Sequence, residues 1–451
     1  MNKEIFLMNI NESIETALKK IKLNSHGIVF IEENNRIIGC TTDGDIRTTL
    51  LEEASLNVPI KDVINRDFVY LFKEKASREN ILKLLDSKIQ VIPILNEKFE
   101  LISIASHKNI DWNNNYKIIS KAKSPVRISF AGGGTDLTNY FKIENGVVLN
   151  TTINKFAHAI LQKREDSKII ISSNDFKTTL EFENIKDIKY DGQLNLIKAV
   201  IKLLNPNFGF ELFTYSDVPP GSGLGGSAVV LSAIIGTFNN FRINKLNSHD
   251  IAELAFQAER IELGLSGGWQ DQYATVFGGF NFMEFTDNEN IINPLRFSED
   301  ILNELEDSLI LCYTGLNHNS GDIHNNQKNN MLKEKEFAEI TKDIAHEMKN
   351  RLLKGQLDDF GELLHKAWTI KKNFSTEISN TELDNIYDFA LINGSLGGKL
   401  LGAGGGGYFL FYVPTFKKLE LINSLEEKGY KIDTFTFDKV GLRSWITREK
   451  V

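Results

Sequence analysis

The residues best suited to chemistry fall in four clusters, the most pointed being PPGSGLGGSA, Pro219 to Ala228. Gly221, Gly223, Gly225 and Gly226 stand directly ahead of an apolar run that reads as a helix. A glycine turn opening a helix aims several backbone N–H groups at one point, where the helix dipole also favours negative charge, so the expected guest is a phosphate. No Lys-Ser/Thr pair follows the glycines, which excludes a Walker A loop. Gly221, Gly223 and Gly226 do satisfy G-x-G-x-x-G, with Asp250 near the spacing of a ribose-binding acid, so NAD(H) binding and a plain strand-to-helix turn both stay open. The second cluster, SPVRISFAGGGTDL, carries Arg127 along an apolar strand into three glycines, Thr135 and Asp136. An Asp delivered on such a turn accepts two sugar hydroxyls, or simply caps a hairpin. The third, FQAERIELGLSGGWQDQY, sets Glu259 in a helical stretch and Asp271 after a Gly-Gly-Trp-Gln turn. Phosphoryl transfer needs one carboxylate at Mg2+ and another to orient or deprotonate the attacking hydroxyl; these two acids suit those roles, or are ordinary surface acids. In the fourth, GSLGGKLLGAGGGGYFLFYV, five glycines between Gly402 and Gly407 precede a fully apolar strand, which implies a backbone loop lying against something bulky or a bulged turn.

The elements that must hold these clusters form a chain of 451 residues, long enough for two to three domains. Hydrophobic residues make up 41%, charged 25% and aromatic 10%, a globular composition. A net charge of -8 argues against a partner that is nucleic acid. Cys40 and Cys312 are the only cysteines, too few for a disulfide framework, and no targeting label or membrane-length apolar run appears, so a cytoplasmic location is expected. Within the first 115 residues the order strand, turn, strand occurs twice, in HGIVFIEENNRIIGCTTDGDIRTTLL and QVIPILNEKFELISIASHKNI, with an offset of 64 residues from Asp45 to Asn109. Residues 1–113 therefore read as a tandem module, and the polar stretch 114–122, leading to Pro125, as a linker. All the glycine clusters lie beyond it, among intermixed helices and strands of an α+β body. Ile251, Leu254, Ala255, Ala258 and Ile261 share one helical face behind a Ser248 cap.

Taken together and in order, Arg then GGGTD, PxGxGLGGSA, QAER followed by GGWQDQ, and GAGGGG resemble the GHMP small-molecule kinases from Lys123 to Val451. Within that family AGGGTD, GGWQDQYATVFGGFNFMEF and KLLGAGGGGYFLFYV look most like the D-glycero-D-manno-heptose 7-phosphate kinases, while GGWQDQ also resembles the kinase part of bifunctional fucokinases. The resemblance implies a ribosomal S5 domain 2-like lobe at 123–290 and a ferredoxin-like lobe at 291–451. It implies ATP and Mg2+ as cofactors, with phosphorylation of an anomeric sugar hydroxyl for nucleotide-activated heptose synthesis. Pro220, Gly221, Ser222, Gly223, Leu224, Gly225, Gly226 and Ser227 would hold the ATP phosphates, Ser227 and Glu259 the metal, and Gly134, Thr135, Asp136, Gly404, Gly405 and Gly406 the sugar. Asp271 takes the catalytic aspartate position, and Arg127 that of a basic residue near the reacting centre. Trp269 and His318 stand where the heptose kinases commonly carry Lys and Arg, which keeps fucose as a rival acceptor. The front module resembles a CBS pair: Thr42 and Asp45 in GCTTDGDIR match a Thr-x-x-Asp that meets an adenosine ribose, and Ser106 and Asn109 are their second-copy counterparts. It implies adenine-nucleotide binding or a homodimer contact, and leaves a nucleotide sensor with an inactive kinase body as the other class of function.

Overall fold

Two compact units, residues 1–116 and 117–451, divide the computed structural model, which describes residues 3–53, 55–87, 89–107, 116–316 and 335–450. In the first, strands β1 (Leu7–Asn9), β2 (Ile28–Glu33) and β3 (Arg36–Thr42) form a sheet in which β1 pairs parallel with β2 and β2 antiparallel with β3. The second copy repeats this with β4 (Leu71–Phe72), β5 (Val91–Leu95) and β6 (Leu101–Ser106). The central strands are buried on both faces, Phe30 of β2 entering one cluster and Val29 and Ile31 another. Phe30, Ile37 and Cys40 of the first copy and Val91, Leu95 and Leu101 of the second meet in one cluster, so the copies share a core. Asn109 lies outside the described residues.

The second unit is built round an 18-residue strand, β8 (Gly146–Lys163), flanked by β7 (Tyr116–Ala131), β9 (Ile169–Ser173), β10 (Thr178–Phe182), β11 (Phe210–Ser216), β12 (Phe280–Phe285) and β13 (Asn290–Pro294). The helices Asn195–Leu204, Gly226–Asn239, Ser248–Phe256 and Gln270–Phe277 cover one face through a single apolar cluster. The other face, with Val126, Ile128 and Phe130, packs on Ile344, Met348 and Phe360 of the helices Lys335–Leu353 and Leu357–Lys371. The remaining lobe carries β14 (Leu309–Tyr313), β15 (Gly397–Leu400), β16 (Tyr408–Tyr412) and β17 (Lys431–Asp433) in the order β15-β16-β14-β17. With helices between β14 and β15 and between β16 and β17, this is the ferredoxin-like β-α-β-β-α-β pattern.

Three boundaries differ from the sequence expectation. Residues 116–122 are not linker but the start of β7, with Ile119 opposite Gln162 and Ala122 opposite Ala159; the lysines that made the stretch look polar alternate with buried Ile119, Ser120 and Ala122. A lobe boundary after 290 would cut the β12–β13 hairpin. Residues beyond 436 leave the second lobe, since β18 (Phe437–Asp438) pairs with β8 and β19 (Arg443–Lys450) pairs with β7. That return covers an edge of the sheet, which would otherwise offer unpaired backbone groups. Among the described residues no helix is long and apolar enough to cross a membrane.

Candidate active site

Strand β7 supplies the centre of the site. Its ladder with β8 shifts register between Pro125 and Arg127 and again between Ser129 and Ala131. Such bulges re-aim side chains, and here they bracket the two polar residues of an otherwise apolar strand end. Ile128 and Phe130 enter the core while Arg127 and Ser129 face a cleft. Arg127, only 4% exposed, holds Asp271 with both arms of its fork, Nε to Oδ1 at 2.7 Å and Nη2 to Oδ2 at 2.9 Å. Its Nη1 donates to the Gly223 carbonyl at 2.6 Å, and its backbone N–H to the Leu224 carbonyl at 3.1 Å. A bidentate charged pair of this kind fixes direction as well as distance. One guanidinium thereby ties the carboxylate at the head of the helix Gln270–Phe277 to the glycine loop ahead of the helix Gly226–Asn239.

The loop conformation depends on glycine. Gly221, Gly223 and Gly225 have φ of 78°, 78° and 80°, and a Cβ on Gly223 would lie 2.6 Å from the Leu401 carbonyl oxygen. Gly226 opens the helix with nothing within 4 Å of where a Cβ would stand. Ser222 and Leu224 are buried, so their contribution to a phosphate would come from the backbone, whereas Pro220, Gly221 and Ser227 are exposed.

Asp136 is buried, its Oδ1 accepting from the Gly134 N–H and its Oδ2 from the Gln270 N–H, both at 3.0 Å. Gly268 lies so close that any Cβ would overlap the Asp136 carboxylate, which explains the glycine before Trp269. Burial raises the Asp136 pKa above the usual carboxylate range, opposed by the Gln270 N–H and reinforced by the charge of Asp271. Thr135 departs from its expected role. Its hydroxyl is used on the Gly132 and Val147 carbonyls and the Val147 N–H, inside the core and away from the cleft.

Glu259 falls in a π-helical turn, Gln257–Glu262, that continues the helix Ser248–Phe256. Asn247, not Ser248, caps that helix. The wider turn rotates the face predicted from a continuous α-helix, so Ile261 is 70% exposed while Ala258 and Glu259 are buried. Glu259 accepts from Gln272 Nε2 at 2.7 Å, lies 3.3 Å from Arg260 and bonds to the Ser227 hydroxyl. Burial lifts its pKa, with Arg260 opposing and Asp271 adding to the rise.

The cleft itself is lined by Arg127, Ser129, Asp136, Arg260, Gln270, Asp271, Lys371, Lys399 and Gly402, among others. Lys371 and Lys399 were not anticipated. Lys399 stands two leucines ahead of GAGGGG, a weak signal; Lys371, in the helical stretch TIKK, gave none. Of the late glycines it is Gly402 that faces the cleft and packs on Gly223, whereas Gly404 and Gly406 pack on Ile378 and Leu316, Gly405 donates to the Ile378 carbonyl, and Gly407 abuts Ser222. The loop thus packs its backbone on the phosphate loop at Gly402 and Gly407 and on Ile378 and Leu316 between them. Trp269 stacks on Phe256 at 3.6 Å and donates from its indole N–H to Thr138. His318 lies outside the described residues.

Family models agree with this arrangement: the GHMP kinase N-terminal domain matches residues 195–279, the GHMP kinase C-terminal domain 348–431 and the CBS domain 1–52. A D-glycero-alpha-D-manno-heptose 7-phosphate kinase of Campylobacter jejuni is 41% identical over 334 residues, 72% of this chain and 98% of that one. The chain belongs to the GHMP kinases. As a GHMP kinase it is an ATP-dependent phosphotransferase, and the resemblance read from its glycine clusters is borne out. The structure of a D-glycero-D-manno-heptose 1-phosphate kinase from Bacteroides thetaiotaomicron is similar to it with a TM-score of 0.62 and 32% identity, covering 72% of this GHMP kinase and 98% of that chain. A bifunctional fucokinase/GDP-fucose pyrophosphorylase of Arabidopsis thaliana is 28% identical over 68% of this chain but only 31% of its own length. In the front unit, the CBS-matching copy ends its last strand at Thr42, whose hydroxyl donates to Asp45 at 2.7 Å, while the Asp45 N–H donates back to that hydroxyl at 3.2 Å, capping the following helix.

Proposed function

We propose that this GHMP kinase transfers the γ-phosphoryl group of ATP to the anomeric hydroxyl of a D-glycero-D-manno-heptose 7-phosphate, giving the 1,7-bisphosphate. The observation that carries this reading is the Arg127 clamp, which joins Asp271 to Gly223 and so brings the proton acceptor and the phosphate loop to one cleft with Asp136. Asp136 is tied down by two backbone N–H groups, yet each of its oxygens keeps a lone pair for a sugar hydroxyl. Asp271 takes the proton of the attacking hydroxyl, and Arg127 keeps it oriented. The backbone N–H groups of Gly221 to Ser227, at a helix N-terminus, receive the phosphates. Ser227 and Glu259, a hydroxyl and a carboxylate in contact beside this loop, fit Mg2+, which takes one or two protein oxygens and completes its shell from phosphates and water. Bound there, the ion would neutralise phosphate charge. The kinase would act in the cytoplasm, and Thr42 with Asp45 would meet an adenine nucleotide on a front module that also serves as a homodimer contact.

A fucokinase-like acceptor is the second reading, favoured by Trp269 in place of a lysine. Both are tested by incubating the full chain with ATP and, separately, heptose 7-phosphate, free heptose, fucose and galactose, with phosphorus NMR of the product. A new anomeric phosphate on heptose 7-phosphate alone is expected. Turnover of fucose without the heptose phosphate would replace the first reading by the second.

A further inference from the structure

Two lysines that line the cleft, Lys399 buried and Lys371 half-buried, have no part in the chemistry above. Lys371, the last residue of the helix Leu357–Lys371, donates from Nζ to the Leu400 carbonyl at 2.9 Å and the Gly402 carbonyl at 2.7 Å. Lys399, on β15, donates to the Phe130 carbonyl at 3.1 Å. Both line the same cleft as Asp271 and Arg127. Among the described residues neither Nζ is in an ion pair; their hydrogen bonds go to carbonyl oxygens, and Lys371 also stands 5.8 Å from the centroid of the Trp368 ring. An ammonium has three N–H donors, so one on Lys371 and two on Lys399 remain for a ligand. Burying charge without a counter-charge is costly, and this cost is spent at one spot, beside a third cation, Arg127, whose carboxylate partner is Asp271. Loss of hydration, and then the charge of Arg127, pull the Lys399 pKa down to about 7, and loss of hydration with the charges of Lys399 and Arg127 pulls that of Lys371 well below its usual range. An anion entering the cleft would favour the charged form of both.

We propose that Lys371 and Lys399 are catalytic side chains that hold the non-bridging oxygens of the phosphoryl group during its transfer. In that step the acceptor oxygen forms a bond to the γ-phosphorus while the bond to the β–γ bridging oxygen breaks. ADP leaves with that electron pair, and the hydroxyl proton passes to Asp271. Position decides between this phosphate and one already on the acceptor sugar. The carbonyl of Gly402 anchors Lys371, and a Cβ on Gly402 would stand 2.6 Å from the Gly223 Cα, so the ammonium sits behind the contact between the late glycine loop and the phosphate loop. That is the donor side of the cleft. Lys371 placed there, with Lys399 reaching the same cleft from the Phe130 carbonyl, acts on charge that spreads over the phosphoryl oxygens as transfer proceeds, without needing to tighten either substrate.

The inference rests on phosphoryl transfer in this cleft and not on which sugar receives it, so the assay uses whichever acceptor the wild-type chain turns over. For Lys371→Met and Lys399→Met in the full chain, kcat is expected to fall by about 100-fold or more, on phosphorylated and unphosphorylated acceptors alike. The KM values for ATP and acceptor should stay within about threefold, and the Lys→Arg variants should recover part of the rate. A second measurement needs no turnover: calorimetry should show that ADP with aluminium fluoride loses affinity in the Met variants while ADP alone does not. Should a Met variant not fold, Lys→Gln takes its place. An unchanged kcat, or a loss confined to the KM of a phosphorylated acceptor, would overturn the proposal; the latter would make the lysines readers of the sugar's own phosphate.

Discussion

At the level of single residues the site is held in place against its own electrostatics. Glu259 and Asp136 are buried carboxyl groups, and burial raises the pKa of each above the ordinary carboxylate range. The folded chain then binds more protons than the unfolded chain between the ordinary and the raised values, so stability falls as pH rises through that window. Glu259→Gln removes one such penalty. Its thermal midpoint should gain on the wild type progressively from about pH 4 upward, while activity drops, as scanning calorimetry and a kinase assay across pH would show. A gap that narrowed with pH would mean that Glu259 is held as a satisfied anion. Not all of this was legible in the sequence. Asp136 and Asp271 stood out beside glycine turns, Arg127 on the strand leading into one and Glu259 in the QAER stretch ahead of another, but the placement of Lys371 and Lys399 in the cleft depends on where the chain folds back, and lysine is commonly a solvent-facing residue.

Among the elements, two backbone irregularities carry the geometry. The paired register shifts in β7 turn Arg127 and Ser129 to the cleft, and the π-turn at Gln257–Glu262 keeps Glu259 inside while turning Ile261 out. Neither is visible in a pattern of period 2 or 3.6, because each is an exception to it. The glycine loops were legible for the opposite reason: positive φ and close backbone contact leave a mark in composition that no other residue can make. Gly223 combines both demands, with φ at 78° and the Leu401 carbonyl in the place of its Cβ. Gly223→Ala should therefore separate the phosphate loop from the late glycine loop. Calorimetric affinity for a non-hydrolysable ATP analogue should weaken at least tenfold, and the thermal midpoint should fall by several degrees. Binding equal to that of the wild type would show that the two loops do not depend on each other.

For the whole molecule, the division at Tyr116 and Lys117 separates two sets of cores, one formed round Phe6, Phe30 and Leu95 and the other round the large sheet and the second lobe. Scanning calorimetry of the intact chain should resolve two transitions, with the acceptor sugar raising only the larger one; a single transition that shifts as a whole would contradict this. The tandem order of the front unit and the mixed α+β character of the rest were readable from alternation and glycine placement. The return of the last strand to β7 was not, since pairing between residues so distant in sequence has no local signature. What unites these scales is the claim that Asp271, clamped by Arg127, accepts the proton of the attacking hydroxyl beside the phosphate loop. The most direct measurement is the single-turnover rate of Asp271→Asn with saturating ATP and acceptor. A fall of at least about 1,000-fold, with both substrates still bound at near wild-type affinity, is the expected result. A rate equal to that of the wild type would place the proton acceptor elsewhere and contradict the account.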